Sequence, residues 1–478
     1  MSKFNSPTTI KTKNKEGRVA YSMKDKEKLV TQVLSSFFQE NKFYGDNSAE
    51  MQETIERVIR DDPKFVSNLA VFARREFNMR SVAHVLTAYL AHDERGKRYV
   101  RRTVKGVTIR GDDVTEIMAF YLSTFGKPVP NSLKKGIADV MTGFDEYTLA
   151  KYKGDNKAVK MRDILCLCRP KPKDKEQEAL WKRCLEGTLA TPETWETQLS
   201  ANGNNAETWE KLIDGGKVGY MALLRNLNNI LSANPSNVDK VLKRIADPVA
   251  VRKSKQLPFR FLSAYKSVIP IGNSSVFDAL ESAVDASVDN LPKLPGTTVI
   301  AVDASGSMSS PISSKSNILC CEIGMMLGVI ANRICEKSIF YTFNNTLEKK
   351  ALSTRNGIIY TTMNEAEATG GTNMFLPFEQ MIKDGVIADR IILISDNQCN
   401  AGWYRVTPQS ASDEYRLEMG NKDIWVHAID LMGYGTQQFC GPRTNIIAGW
   451  SEKVFDFILL AEEGVGSIME AISNYNVS

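Results

Sequence analysis

The chain has 478 residues, room for about three domains, or two if one is a repeat array. Hydrophobic residues make up 42%, aromatics 9% and charged residues 24%, close to globular averages, which excludes a small disulfide-stapled fold and bulk disorder. The formal charge of +5 hides an asymmetry: residues 1–295 hold 48 Lys+Arg against 36 Asp+Glu, and the remainder holds 13 against 20. A basic amino-terminal half attracts polyanions, nucleic acid first and anionic membrane second.

Residues 1–20 carry Lys11, Lys13, Lys15 and Arg18 among Ser, Thr and Asn and read as a flexible basic arm. No apolar leader and no run of about 18 apolar residues follows, so the expectation is a cytoplasmic protein with no membrane association. From Asp25 onward the apolar spacing is helical: Leu29, Val30, Val33 and Leu34, then Val66, Leu69, Ala70 and Ala73, then Val82, Val85, Leu86 and Tyr89. Similar segments are predicted near 113–125, 131–143, 206–214, 219–232, 236–246 and 273–289, with breaks at Lys127-Pro128, Asn234-Pro235 and Asp247-Pro248. Short one-sided helices cannot bury their apolar faces alone and must stack, which predicts a degenerate α-solenoid over residues 21–292. A multi-helix globule without repeat geometry is the alternative.

The pattern changes after Leu291-Pro-Lys-Leu-Pro-Gly296. Runs at 297–303 (TTVIAVD), 338–343 (SIFYTF), 390–396 (RIILISD), 424–430 (IWVHAID) and 453–460 (KVFDFILL) read as buried strands, with a long apolar helix at 317–336. Alternating strands and helices predict a doubly wound, mostly parallel α/β domain over 293–478. The aspartates Asp303 and Asp396 then stand at strand carboxyl ends, where such sheets keep their sites.

Asp303-Ala-Ser305-Gly-Ser307, a Gly370-Gly371-Thr372 loop and Ser395-Asp396 occur in the order of a metal-ion-dependent adhesion site. Magnesium takes oxygen ligands in a near-octahedral shell and keeps one or more positions for water or a partner's oxygen. Asp303, Ser305, Ser307, Thr372 and Asp396 are the candidate ligands, and the neutral hydroxyls leave charge on the ion to recruit an acidic group. The plainer alternative makes Asp303 a helix-capping residue and the serines turn formers. A phosphatase built on Asp303 lacks its second acid, since Ser305 stands there, and no Walker loop, GxSxG elbow or post-strand GxGxxG is present. His84, His92 and His427 read as structural. The eight cysteines, scattered and without a CxxC pair, read as reduced core thiols.

Lys134, Lys135, Lys151, Lys153, Lys157, Lys160 and Arg162 cluster with Tyr147 and Tyr152 interleaved, and Arg95 to Arg110 form a second basic group. Such clusters supply phosphate contacts while tyrosines offer faces for unpaired bases. For any one lysine, a solvated helix face is the simpler account.

The stretches Gly143–Tyr152 (GFDEYTLAKY), Met161–Leu165 (MRDIL), Gly219–Asn229 (GYMALLRNLNN), Pro258–Lys266 (PFRFLSAYK) and Val302–Met308 (VDASGSM) resemble the TROVE-domain Ro autoantigen family. The resemblance implies a mainly α fold, a HEAT-like α-helical repeat ring closed by an α/β von Willebrand factor A domain, with a basic central hole. It implies a monomeric RNA-binding ribonucleoprotein component, not an enzyme, that holds small noncoding Y-like RNAs on its surface. Single-stranded 3′ ends of misfolded RNA would enter the hole for quality control, alongside a partner exoribonuclease. The metal residues carry over as Asp303, Ser305, Ser307, Thr372 and Asp396 with Mg2+, and the basic helix as Lys151, Lys153, Lys160 and Arg162. Where some relatives have a histidine, this chain has Met161. Its length is short for the family and points to a bacterial or phage member. A metal-dependent protein-adhesion scaffold is the competing function, and a metal-dependent nuclease a remoter one.

Overall fold

The computed structural model describes residues 9–35, 49–289, 291–312, 316–400, 406–449, 452–463 and 468–477. The chain forms two compact units, one from Asp25–Thr194 and Ile468–Ser478, the other from Met1–Lys24 and Trp195–Ser467.

The first unit is helical: α1 (Asp25–Leu34), α2 (Ala49–Asp61), α3 (Pro63–Arg75), α4 (Ser81–His92), α5 (Lys97–Val107), α6 (Asp113–Phe125), α7 (Asn131–Met141), α8 (Glu146–Lys151), α9 (Met161–Cys168) and α10 (Lys175–Glu186). Local chemistry sets the ends. Asp62 caps α3, accepting from the Phe65 N–H at 3.0 Å ahead of Pro63, and Asp145 and Asp174 cap α8 and α10 the same way. The helices pack in a staggered array, α3 on α5, α4 on α6, α5 on α7 and α7 on α9. On α5, Val100, Thr103, Val104 and Val107 face inward while Arg98, Arg101 and Lys105 are exposed. A late helix, Ile468–Ser473, joins this unit. The Asn68 amide donates to the Ile472 and Ser473 carbonyls at 3.0 Å, and Tyr475 sets its ring edge-on to Phe72 at 5.3 Å. The sequence assigned these residues to the α/β domain. Their docking follows from Asn68, which is buried and satisfied by carbonyls that no nearby residue supplies.

The second unit holds α11 (Trp195–Asn202), α12 (Ala206–Asp214), α13 (Tyr220–Arg225), α14 (Leu227–Ala233), α15 (Val238–Ala246), α16 (Pro248–Ser254), α17 (Pro258–Val268) and α18 (Ser274–Val288) together with the sheet. The helix predicted at 219–232 is two helices broken at Asn226, which ends one and opens the next. Ion pairs tie these helices to the α/β part: Lys266 meets Glu322 at 2.7 Å and the Asn317 carbonyl at 2.6 Å, and Arg333 meets Asp285 at 2.6 Å.

The sheet strands are β3 (Leu294–Asp303), β4 (Cys335–Phe343), β5 (Leu347–Lys350), β6 (Arg390–Ser395), β7 (Trp425–Asp430) and β9 (Thr444–Ala448), in spatial order β5-β4-β3-β6-β7-β9. All neighbours are parallel except β5. Val299, Ala301, Ile391, Leu393, Tyr341 and Phe343 build a core with Phe378, Tyr415 and Phe439. On the other face lies α19 (Cys320–Ile334), where Gly328 permits close approach: a Cβ there would stand 2.6 Å from Val302 Cγ2. Between the strands run α20 (Ile358–Glu365), α21 (Leu376–Lys383) and α22 (Pro408–Glu418).

Two expectations are corrected. The run 453–460 is not a strand but α23 (Val454–Glu462): Val454, Phe455, Phe457, Ile458 and Ala461 are buried at helical spacing while Asp456 is exposed. A short continuous apolar run does not separate strand from helix, and the sheet place it was given belongs to β9. Nor are residues 11–20 a flexible arm. β1 (Lys11–Lys13) and β2 (Val19–Ser22) form a hairpin, and β2 pairs with β8 (Thr436–Gln437) through Tyr21↔Gln437. The polar composition hid a turn signal: Asn14 Oδ1 accepts from the Arg18 N–H at 2.9 Å, and Gly17 takes a positive φ of 72°.

Candidate metal centre and basic helical surface

β3, β6 and β7 lie side by side and each runs into an aspartate: Asp303, Asp396 and Asp430. Parallel pairing therefore brings three carboxylates to one sheet edge. The Ser305 N–H donates to Asp303 Oδ1 at 2.8 Å and the Ser395 hydroxyl donates to Oδ2 at 2.6 Å, which fixes the carboxylate plane. The short 3-10 turn Gly306–Ser309 carries Ser307, whose hydroxyl stands 3.1 Å from that of Ser305. The Thr372 loop is clamped to this turn: the Gly306 N–H donates to the Gly370 carbonyl at 2.9 Å and the Thr369 N–H to the Ala304 carbonyl at 2.7 Å. Gly370 has φ 75°, and a Cβ there would stand 2.8 Å from Asn345 Nδ2. The Asn345 and Asn400 side chains accept from the Gly371 and Thr372 N–H groups at 2.8 Å each.

The electrostatics favour a cation. Burial, then the charge of Asp396, push the Asp303 carboxyl up to about 7 against the bonds from Ser305 and Ser395. Burial also raises Asp396, opposed by the Ser307 hydroxyl and the Gln398 N–H and reinforced by Glu16. Asp430 is pushed up to about 7 by burial, and Asp396 adds to the rise. Its Oδ1 accepts from the Met432 and Gly433 N–H groups, while its buried Oδ2 has no partner among the described residues. Crowded, dehydrated carboxylates are held up in this way when no positive charge lies among them. The donor spacing also fits. Octahedral ligands at about 2.1 Å stand roughly 3.0 Å apart along an edge, which the Ser305–Ser307 hydroxyl separation matches. Asp303, Ser305, Thr372 and Asp396 are buried and Ser307 is exposed, so the site opens on the Ser307 side. Among the described residues no group of three or more His, Cys, Asp or Glu has metal-ligand geometry.

The basic residues divide. Lys153 pairs with Asp155 at 2.7 Å, and Lys160 and Arg162 lie close enough to help hold the Asp155 carboxyl below its ordinary range, the Lys153 hydrogen bond acting first. Lys151 lies 5.4 Å from the Tyr147 ring and 5.8 Å from that of Tyr152, and Arg110 lies 5.4 Å from Tyr152. Tyr147 is 48% exposed. Lys151 also donates to the Tyr147 hydroxyl at 3.2 Å, Arg110 is ion-paired with Asp112 at 3.1 Å, and Tyr152 is half-buried. Lys157 is ion-paired with Glu116. Lys134 is half-buried and Lys135 exposed, both on α7. In the second basic group, Arg101 is engaged bidentately by Asp139 at 2.7 and 2.9 Å, and Arg102 donates to Ser67 and Asn68.

The histidines lie elsewhere. His84 meets buried Asp113 at 3.1 Å, His427 meets Glu462 at 2.9 Å, and His92 stacks on Phe125 with centroids 4.0 Å apart. All eight cysteines are free; five are buried, but Cys166 is exposed and so is no core thiol. Sequence reasoning missed Asp430, although IWVHAID ends in aspartate as TTVIAVD and RIILISD do. It also missed Asn345 and Asn400, which carry no local signature because they act across sequence gaps of 26 and 28 residues.

An open parallel sheet with a DxSxS turn at its carboxyl edge, joined to a staggered helical array, defines a von Willebrand factor A-type domain combined with an α-helical repeat region. A TROVE-domain family model matches residues 12–191 and 187–275, and a Ro60 von Willebrand factor A domain model matches residues 297–428. The chain belongs to the TROVE-domain Ro60 family. It is similar to the RNA-binding protein Ro60 of Caenorhabditis elegans, 26% identical over 48% of this chain and 38% of that protein. The Ro60 protein of Deinococcus radiodurans is 26% identical over 42% of this chain and 41% of its own length. Telomerase protein component 1 of Rattus norvegicus is 27% identical over 46% of this chain and 12% of that protein. The matches thus span less than half the length of these curated relatives. The crystal structure of the Deinococcus radiodurans Ro protein shares the fold, with a TM-score of 0.65 and 18% identity, covering 92% of this chain and all of that one. Among the described residues no helix is long and apolar enough to cross a membrane.

Proposed function

We propose that this protein binds RNA without cleaving it, holding small noncoding Y-like RNA on its helical surface and taking unpaired 3′ ends of misfolded RNA into the basic central hole that the family resemblance implies. The observation that carries the reading is Lys151 lying 5.4 Å from the Tyr147 ring and 5.8 Å from that of Tyr152, with Tyr147 48% exposed and Lys153 and Arg162 exposed in the same stretch of chain. Cations track a phosphate backbone and exposed tyrosine faces stack unpaired bases. Relatives named as RNA-binding proteins support it. The protein works as a cytoplasmic monomer in RNA quality control, handing RNA to an exoribonuclease. Binding to a duplex with a 3′ overhang should exceed binding to the blunt duplex in a filter-binding titration. Equal affinity would contradict the proposal, and degradation of labelled RNA by the pure protein would contradict the absence of catalysis.

The metal centre supports a second, compatible reading. Asp303, Ser305, Ser307, Thr372 and Asp396 would hold Mg2+, which when bound supplies a positive charge for an acidic partner group. Ser395, which donates to Asp303 Oδ2, would orient that donor behind it. Asp303→Ala separates the readings: it should abolish protein-partner binding while leaving RNA affinity unchanged. Loss of RNA binding in that variant would place RNA recognition on the metal instead.

A further inference from the structure

The turn of the amino-terminal hairpin is fastened to the metal centre. Asn14, 6% exposed, donates from Nδ2 to the Cys399 carbonyl at 2.8 Å. The Lys15 N–H donates to Gln398 Oε1 at 2.9 Å, and Arg18 Nε donates to the Asn400 carbonyl at 3.2 Å. Lys15 Nζ lies 3.7 Å from the centroid of the Tyr434 ring. The loop so gripped, 397–400, follows directly on Asp396 and reaches the Thr372 loop: Asn400 Oδ1 accepts from the Thr372 N–H at 2.8 Å, and the Cys399 thiol donates to the Thr372 carbonyl at 3.2 Å. Two of the five candidate ligands are therefore held by the loop that holds the hairpin.

At the tip of that turn stands Glu16, exposed to solvent. Its position is fixed by its neighbours: Asn14, Lys15 and Arg18 are each bonded to the loop. Tyr434 lies among the same groups. Burial raises its hydroxyl first, with the charges of Asp396, Asp430 and Glu16 among the further causes. Glu16 thus stands as an exposed carboxylate on a turn bonded to the loop that directly follows Asp396, its charge is felt at Asp396, and the candidate donors of that site include three neutral hydroxyls.

We propose that the hairpin tip is a built-in occupant of the open face of the metal centre, Glu16 supplying in cis the carboxylate that an acidic partner would otherwise bring. This rests on the metal-centre reading above. A ligand tethered by a short turn acts at an effective concentration of about millimolar or above. An acidic partner segment must displace the tip, and undocking of residues 14–18 is what admits it.

The test uses the full chain with Mn2+ as probe, counting free ion by its electron paramagnetic resonance signal and reading bound-ion water access by water-proton relaxation. Asp303→Ala should take up no Mn2+. Glu16→Gln should bind Mn2+ about tenfold more weakly, as loss of a group supporting a metal does, with faster water relaxation because water replaces the carboxylate. Acetate should slow that relaxation again in Glu16→Gln and leave the wild type unchanged. Mn2+ should also raise hydrogen-exchange protection of residues 11–22 in the wild type but not in Glu16→Gln. If Asp303→Ala loses Mn2+ while Glu16→Gln matches the wild type in affinity and relaxation, the role of the hairpin is overturned and the metal centre stands. If the wild type takes up no Mn2+, or Asp303→Ala binds it equally, the metal centre falls and the hairpin's role with it.

Discussion

Replacing Lys151, Lys153, Lys160 and Arg162 together by Ala should flatten the salt dependence of RNA binding by an amount the structure sets. Four positive charges are removed, but Asp155 already neutralises one of them through Lys153 at 2.7 Å. About three phosphate contacts are lost, and at roughly 0.7 counterions per contact on a single strand the slope of log affinity against log salt falls by about 2. The gap between wild type and variant should therefore shrink by a factor of about fifteen between about 50 and 200 mM salt. Fluorescence polarisation of an end-labelled single strand across that range reads the slope directly. Asp155→Asn supplies the control with the opposite sign, since it frees the Lys153 charge and should steepen the slope by about 0.7. An unchanged slope in the quadruple variant, or weaker binding in Asp155→Asn, would refute the assignment of this surface to RNA.

Three further outcomes follow from the buried charges and the close packing. Asp303 and Asp430, both pushed up to about 7, keep protons in the folded state that the unfolded chain releases near 4, so without a cation denaturation free energy should fall as pH rises from about 4 to about 7. Mg2+ at a hundred times its dissociation constant should restore about 2.7 kcal/mol above that range, and Asp303→Ala should abolish the gain in thermal melts. At Asp113, burial is overcome by His84, Arg80 and Arg74, which hold the carboxyl well below its ordinary range. Its contribution is present above about pH 4 and lost as the pH falls, and urea titration of Asp113→Asn should show a loss of about 3–5 kcal/mol because Arg74 is left buried and unpaired. Gly328→Ala, whose Cβ would stand 2.6 Å from Val302 and 2.9 Å from Phe340, should cost about 1–3 kcal/mol, and a neutral result would show that α19 can lift off β3.

The parts of the fold legible in the sequence were those with repeated local signals. Apolar spacing located α3, α4, α6 and α7, and the β-branched runs located β3, β4, β6 and β7. The DxSxS turn was legible as a candidate site because three oxygen-bearing side chains fall within five residues, and the structure sets Ser305 and Ser307 3.1 Å apart. The misreadings came from signals of low contrast. KVFDFILL is apolar at both periods, and only the neighbouring β9 decides for the helix. The hairpin at residues 11–22 is short and polar, and its partner β8 lies over four hundred residues away, so nothing local marks it. Asn345 and Asn400 act through hydrogen bonds across long sequence gaps, whereas the strand-ending aspartate of IWVHAID was a signal left unused. The basic cluster was legible as charge, but the pairing of Lys153 with Asp155 was not, since one acid among many basic residues carries no local signal.

The chain passes between its two compact units three times, after residues 24, 194 and 467, and this has a consequence for biosynthesis. While the ribosome is still translating, α3 has emerged with the buried amide of Asn68 uncapped, because its acceptors Ile472 and Ser473 lie 404 and 405 residues downstream. Likewise Tyr21 waits for Gln437. The helical unit therefore keeps the Asn68 contact open until residues 472 and 473 have been made, and while it waits it is a natural client for chaperones.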